Sequence, residues 1–127
     1  MTLEKTERDR SFGPIALRRV SPKDMSFLCT VYMSTRLEEL AQTDWDPSEK
    51  KVFLQSQFNA QHQYYLEQYP DAAYDIILLE THSIGRLYVD YREDEIRLMD
   101  IALLAKYRNQ GIGGRLLHEL LEKAKKQ

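Results

Sequence analysis

The region between residues 74 and 104 most constrains the fold, because its hydrophobic pattern predicts three consecutive β-strands. Tyr74–Leu79 and Ile84–Tyr91 have the length and the apolar alternation of strands, and a turn at Thr81–Ser83 separates them. Arg92–Asp94 then turns the chain into a third strand, Glu95–Leu104. Strands joined by turns this short pair in antiparallel fashion. We therefore expect an antiparallel meander.

The third strand is largely apolar on both faces in its second half, which predicts burial on both sides and a central place in the sheet. If nothing covers it, the same strand becomes an exposed edge that invites association. Its two predicted faces are Ile96, Leu98, Asp100, Ala102 and Leu104 on one side, and Glu95, Arg97, Met99, Ile101 and Leu103 on the other.

Helical patterns flank this meander. A short strand at Ile15–Val20 precedes a helix capped by Ser21 that runs to about Gln42, and a second helix begins at Asp46-Pro47 and ends before Pro70. A last helix, from about Gly111 to Lys126, has one apolar stripe. The order β-α-α-β-β-β-α predicts a mixed α/β (α+β) fold, with helices covering a mainly antiparallel sheet. We expect one domain over residues 1–127, with residues 1–12 as a loose lead-in.

Composition excludes several classes of function. The net charge is -2 with acidic and basic residues interleaved, so we expect no nucleic-acid partner. No apolar run approaches the roughly 20 residues that span a bilayer, so we expect no membrane partner. The single cysteine, Cys29, cannot form an intramolecular disulfide and favours a cytoplasmic location. The histidines are His62, His82 and His118, which lack metal-ligand spacing, so no metal is expected.

The turn between the third strand and the last helix holds three of the five glycines in the chain, Gly111, Gly113 and Gly114. Glycine weakens a helix by roughly 1 kcal/mol per interior position, so such clustering indicates a compensating use. The first turn of a helix has unpaired N–H groups and a partial positive charge, which together hold a phosphate. Arg108 and Lys106 add positive charge. The alternative is a helix start that only packs closely.

This turn resembles a known family. Arg108-Asn109-Gln110-Gly111-Ile112-Gly113 fits the R/Q-x-x-G-x-G/A signature of the GNAT superfamily of N-acetyltransferases, and Leu116-Leu117 follow as they commonly do in that family. Ala105 stands where the family often has proline. The order of predicted elements from about Ile15 to Gln127 also resembles the first part of that fold, and it implies that the C-terminal strands of the fold are missing from this sequence.

The resemblance implies that acetyl-CoA is the co-substrate and a primary amine the acceptor. It implies that the loop amides and Arg108 hold the pyrophosphate, while the main chain of the third strand pairs with the pantetheine arm as an added strand would. The implied cofactor-binding residues are Ile101, Ala102, Leu103, Arg108, Asn109, Gln110, Gly111, Ile112, Gly113 and Gly114.

Two carboxylates are candidates for the general base that an ammonium group needs before it can attack a thioester. Glu95 lies on the strand that leads to the thioester, and its alternative role is that of a solvated residue beside a turn. Asp100 interrupts an apolar face, so it is either functional or a structural anchor for loop amides.

Two functions therefore stay open on the sequence alone. One is an acetyl-CoA-dependent N-acetyltransferase. The other is a non-catalytic module with the same fold that binds CoA or a protein. The expected free edge of Glu95–Leu104 adds the prediction of a homodimer formed through that edge.

Overall fold

The computed structural model describes residues 11–12 and 14–126. Its strands and helices are, in chain order, β1 (Ser11–Phe12), β2 (Ile15–Arg19), α1 (Met25–Leu40), α2 (Pro47–Gln68), β3 (Ala73–Leu79), β4 (His82–Tyr91), β5 (Ile96–Leu103) and α3 (Ile112–Lys125). Short 3₁₀ turns lie at Pro22–Asp24 and Ala105–Tyr107. Most of the expected lead-in over 1–12 lies outside the described residues. The predicted order of the seven main elements is confirmed.

Local sequence explains where α2 begins and ends. The Glu49 amide donates to Asp46 Oδ1 over 2.8 Å, and the Asp46 amide donates to Glu49 Oε1 over 2.9 Å. These two bonds satisfy donors that a helix start otherwise leaves unpaired. At the other end, Tyr74 Oη donates to the carbonyl oxygens of Tyr65 and Tyr69, over 2.9 and 2.7 Å. The tyrosine thus ties the last turn of α2 to β3.

The sheet is antiparallel throughout, with the strand order β1-β2-β3-β4-β5. The predicted meander is therefore confirmed. The prediction that the strand Glu95–Leu104 is central is wrong, because β5 pairs with β4 alone among the described residues. Most of its apolar side chains are partly covered by the helices on the two faces of the sheet, which requires no further strand beside it, and Leu98 is exposed.

A register shift between Tyr88 and Val89 also corrects the predicted faces of β5. Tyr88 pairs with Asp100 and Val89 with Leu98, so Met99 is an extra residue on β5. Ile96 consequently packs against the same core as Ile101, although simple alternation placed them on opposite faces.

Two apolar cores lie on opposite faces of the sheet. The first joins the sheet to α3, and the second joins it to α1 and α2. Each fully buried aliphatic or aromatic side chain contributes roughly 1.5–3 kcal/mol to folding. The first core contains Ile15, Leu17, Ile77, Ile84, Leu87, Val89, Ile112 and Leu116, and the second contains Leu28, Tyr32, Leu54, Phe58, Ile76 and Tyr88.

Gly85 lets β4 and β5 approach closely at the end of β5 that leads to α3. A Cβ atom built on Gly85 would lie 2.3 Å from the Ala102 carbonyl oxygen, a distance that forces the backbone to move. Glycine at this position therefore permits the close pairing of Gly85 with Leu103.

No helix in the described part of the chain is both long and apolar enough to cross a membrane.

Candidate active site

A groove of about 470 Å³ opens where β5 ends and α3 begins. The elements that form it are the end of β5, the loop after the 3₁₀ turn, the first turn of α3 and the second half of α1. The residues that line it are Thr35, Ile101, Ala102, Leu103, Arg108, Asn109, Gly111, Gly113, Gly114 and Leu117.

The loop backbone is shaped for a ligand. Asn109 and Gly111 both have left-handed conformations, with φ of 61° and 82°, and Gly111 is the N-cap of α3. The amides of Ile112, Gly113 and Gly114 have no acceptor within the helix, because they belong to its first turn. A Cβ atom placed on any of the three glycines would meet nothing within 4 Å. Close packing therefore does not explain these glycines, and the space above them is open.

Arg108 connects three parts of the groove. Its Nε donates to the Leu103 carbonyl oxygen over 2.9 Å, and its Nη2 donates to Ser34 Oγ over 3.3 Å. The guanidinium thus lies between the end of β5 and α1, with its charge beside the first turn of α3. Positive charge beside free helix amides strengthens an anion site.

The free edge of β5 supplies main-chain groups to the same groove. The Leu104 amide donates to the Ile84 carbonyl oxygen over 2.9 Å, so Leu104 points toward β4. Because neighbouring residues of a strand alternate in direction, the main chain of Ile101 and Leu103 points away from β4. An extended ligand with amide groups can therefore pair with this edge.

Two of the predicted cofactor residues stand apart from the groove lining. Gln110 is exposed, and its side chain donates to the Lys106 carbonyl oxygen over 2.8 Å. Ile112 is buried in the core under α3, so it anchors the helix start while its amide remains available. Conversely, Thr35 and Leu117 line the groove and were missed. The two are 82 residues apart in sequence, and no local motif connects them.

The two candidate carboxylates occupy different environments. Asp100 is partly buried on the face of the sheet that α1 and α2 cover, and its Oδ2 accepts a hydrogen bond from Arg86 Nη2 over 2.5 Å. Glu95 is exposed and accepts from Arg97 over 3.1 Å. At about 3.3 Å per residue, Glu95 lies roughly 20 Å along the chain from Ile101, whereas Asp100 is adjacent to it.

A buried polar cluster surrounds Asp100. Arg86 also donates to Gln61 Oε1 over 3.0 Å, and its guanidinium lies 4.8 Å from the centre of the Tyr88 ring. Burial raises the pKa of Tyr88, so its hydroxyl stays protonated at neutral pH. Burial, and then the charge of Arg86, lowers the pKa of His62, which keeps that imidazole neutral. No group of three or more histidine, cysteine, aspartate or glutamate residues that could hold a metal occurs in the described part of the chain.

The sequence profile of the Acetyltransferase (GNAT) family matches residues 35–127, well over half of the chain. The chain belongs to the GNAT acetyltransferase family. The match includes the glycine loop and most of the groove. No curated protein matches the sequence.

Solved structures of acetyltransferases share the fold of this GNAT chain. PaiA N-acetyltransferase from Thermoplasma acidophilum in complex with coenzyme A is 17% identical, with a TM-score of 0.60 over 88% of this chain and 72% of that one. An acetyltransferase from Thermus thermophilus is 19% identical, with a TM-score of 0.56 over 85% and 68%. A GNAT family acetyltransferase from Brucella melitensis in complex with acetyl-CoA is 13% identical, with a TM-score of 0.54 over 87% and 68%. At these identities the likeness concerns the fold.

Proposed function

We propose that this GNAT chain is an acetyl-CoA-dependent N-acetyltransferase that transfers the acetyl group to a primary amine. One observation carries the proposal: a single groove brings together the free edge of β5, the Arg108 guanidinium and the open first turn of α3. This combination suits a ligand that has a pyrophosphate at one end and an amide-bearing arm behind it. The PaiA and Brucella melitensis structures named above contain coenzyme A and acetyl-CoA.

The positions of these parts set the direction of the ligand. The amides of Ile112–Gly114 and the Arg108 guanidinium receive the pyrophosphate, with Asn109 and Gln110 shaping the loop. The arm then runs back along the outward main chain of Leu103 and Ile101. The thioester consequently comes to the part of β5 that contains Asp100, and Ala102 lies between the two ends.

The reaction that follows is direct acyl transfer. The amine nitrogen forms a bond to the thioester carbonyl carbon and loses a proton, the carbon–sulfur bond breaks, and the CoA thiolate leaves and takes up a proton to become the thiol. The attacking ammonium must first lose a proton, so a carboxylate or a water bonded to one assists. We propose Asp100 for this role, because it is adjacent to Ile101, whereas Glu95 lies about 20 Å from Ile101 along the chain. Arg86 fixes the Asp100 carboxylate in place.

The test combines binding with turnover. Calorimetry with acetyl-CoA and with CoA measures ligand binding. Release of thiol from acetyl-CoA in the presence of mixed primary amines measures acetyl transfer. We expect binding, followed by amine-dependent thiol release that falls at least tenfold in Asp100→Asn. Glu95→Gln serves as the matched carboxylate control and should keep most of the activity.

The alternative is a non-catalytic module that binds CoA. One feature of Asp100 favours this alternative: its Oδ2 already accepts a hydrogen bond from Arg86, which is itself buried. Binding of CoA without thiol release from any amine would support the module. Both functions would be defeated if the wild-type chain did not bind CoA and if Gly111→Glu gave the same calorimetry and thiol release as the wild type.

Two further expectations remain predictions. Because β5 has no second strand beside it among the described residues, we expect two copies of the CoA-free chain to associate through this edge, which light scattering tests. A uniformly monomeric sample would count against it. A cytoplasmic location, expected from the single cysteine, is tested by cell fractionation.

A further inference from the structure

Arg86 is a buried arginine with more donors than acceptors. The residue is 3% exposed on β4, facing α1 and α2, and its Nη2 donates to Gln61 and Asp100. Its Nε and Nη1 are buried and have no hydrogen-bond partner among the described residues. Since buried N–H groups in proteins are almost always paired, these donors indicate an acceptor that comes from outside the chain.

Other unpaired polar atoms lie around Arg86. Arg36 Nε is also buried without a partner in the described part of the chain, and the Tyr88 hydroxyl, which interacts with Arg86, has no acceptor for its own proton there. The guanidiniums of Arg36 and Arg86 lie 5.0 and 5.9 Å from the centre of the same ring, Tyr32. These groups, together with the Tyr32 ring that both guanidiniums contact, form one cluster, which we call the Arg86 cluster: Tyr32, Arg36, Arg86 and Tyr88.

The chemistry of the Arg86 cluster suits a carboxylate. Nη2 of Arg86 is taken by Gln61 and Asp100, so its Nε and Nη1 can each donate a separate charge-assisted hydrogen bond to a carboxylate oxygen, and a phenol hydroxyl adds a further donor. Each arginine already pairs with one acid of the chain, Arg86 with Asp100 and Arg36 with Glu39. Since these two acids already balance both guanidinium charges, the Arg86 cluster favours a group with a single negative charge over a phosphate, which carries nearly two.

The Arg86 cluster adjoins the groove. Arg86 is paired across the sheet with Ala102, which lines the groove, and Asp100 pairs with the neighbouring Tyr88. Adjacent strands are about 4.8 Å apart, so a small molecule held by Arg86 lies within reach of an arm along β5. Arg36 is 41% exposed and marks the solvent side of the cluster. Gln61, on α2, covers the inner side through its bond to Arg86.

We propose that the acceptor of this acetyltransferase carries a carboxylate in addition to its amine, as amino acids do, and that Arg86 and Arg36 bind the carboxylate. The inference rests on the proposed function, because it assigns the acceptor of that same site. Asp100 then lies beside the amine, while the Arg86 cluster holds the other end of the molecule.

The wild-type chain provides the first test. Thiol release from acetyl-CoA is measured with matched pairs of acceptors, each a free amino acid and its amide, for a set that includes glycine, lysine, glutamate and tyrosine. Calorimetry on the CoA-loaded chain measures binding of the same pairs. We expect at least one free acid to have kcat/KM about 10- to 100-fold above that of its amide, the range of a charge-assisted hydrogen bond. The amide amine is less basic and more often unprotonated, so basicity cannot produce this preference.

Variants provide the second test. Arg86→Gln and Arg36→Gln should remove most of the preference through KM, and Arg97→Gln, an exposed arginine on the same sheet, should retain it. Circular dichroism checks that Arg86→Gln is folded. If Arg86→Gln is not folded, the acid-over-amide preference of Arg36→Gln, which changes the rim of the cluster, provides the test. Equal binding and turnover of acids and amides would overturn the inference, and so would the absence of binding by either. If acids bind preferentially but no thiol is released, the proposed function fails while the carboxylate site stands.

Discussion

Arg108 donates a hydrogen bond from Nε to the Leu103 carbonyl oxygen over 2.9 Å, and this bond fixes the loop to the free edge of β5. The same guanidinium reaches Ser34 of α1 over 3.3 Å. The strand edge and the anion site are therefore held at one mutual distance. For a ligand that has its arm on one and its phosphates on the other, this arrangement reduces the ordering cost of binding.

Arg108→Ala should weaken CoA binding by about tenfold or more, because a charge-assisted contact and the fixed loop are both lost. Ser34→Ala removes one partner of the guanidinium and should cost only about two- to threefold. Calorimetry at two salt concentrations measures both effects. Arg108→Ala should also reduce the salt dependence of CoA affinity. Lower thermal stability with unchanged CoA affinity would show that Arg108 serves the fold alone.

Gly114 separates stability from binding. It is the third residue of α3, and a Cβ atom there meets no atom within 4 Å. Gly114→Ala should therefore raise the free energy of unfolding by about 0.5–1 kcal/mol through helix propensity. Gly114→Glu should keep that gain, because an acid near a helix start is favourable, while its charge repels a pyrophosphate and lowers CoA affinity at least tenfold.

Denaturant unfolding checks the expected gain in stability of the Gly114 variants, and calorimetry on the same samples checks the expected loss of CoA affinity in Gly114→Glu. A Gly114→Glu chain that is stable and binds CoA normally would show that the pyrophosphate does not bind at this turn.

Gly85→Ala should have the opposite effect on stability from Gly114→Ala. Its Cβ atom would lie 2.3 Å from the Ala102 carbonyl oxygen and 2.8 Å from Leu103 Cδ2, so the strands must separate. Overpacking of this kind costs about 1–3 kcal/mol. CoA affinity should fall as well, since Ala102 and Leu103 line the groove. Equal melting temperatures for Gly85→Ala and the wild type would contradict this account.

Local signals in the sequence predicted most of the fold. The start of α2 at Asp46, the meander, and the glycine turn before α3 all depend on residues within a few positions of one another. Most residues that line the groove between β5 and α3 could be predicted for the same reason, because the loop and the strand before it are contiguous. The family signature at Arg108–Gly113 added the chemistry.

Long-range relationships were not predictable. Arg86 pairs with Asp100 only through the register of β4 and β5, which contains an extra residue at Met99 that alternation does not show. Ser34 and Arg108 are 74 positions apart. Burial of Arg86 contradicts the usual placement of charged residues at the surface. The cluster around Arg86 was therefore not predictable from the sequence, whereas most of the groove lining was.

The start of α1 should respond to pH through Asp24. Its carboxylate accepts two hydrogen bonds from Arg18, over 2.8 and 2.9 Å, and one from the Ser21 amide over 2.8 Å. The Arg18 bond is the main cause that lowers the pKa of Asp24 from 3.8 to about 2. The folded chain thus binds a proton less readily than the unfolded chain, so the stabilisation is complete above about pH 5 and is lost as the pH falls toward 2.

Asp24→Asn tests this contribution. It should lower the free energy of unfolding by about 1–2 kcal/mol at pH 7, a value reduced from the full linkage because Arg18 is partly exposed. The difference from the wild type should shrink as the pH falls from 5 toward 2, because protonation then removes the same charge from the wild type. Denaturant unfolding at pH 7, 5 and 3 measures it, with Asp94→Asn in the exposed β4–β5 turn as the matched control. A difference that stays constant from pH 7 to pH 3 would show that shape, and not charge, makes Asp24 stabilising.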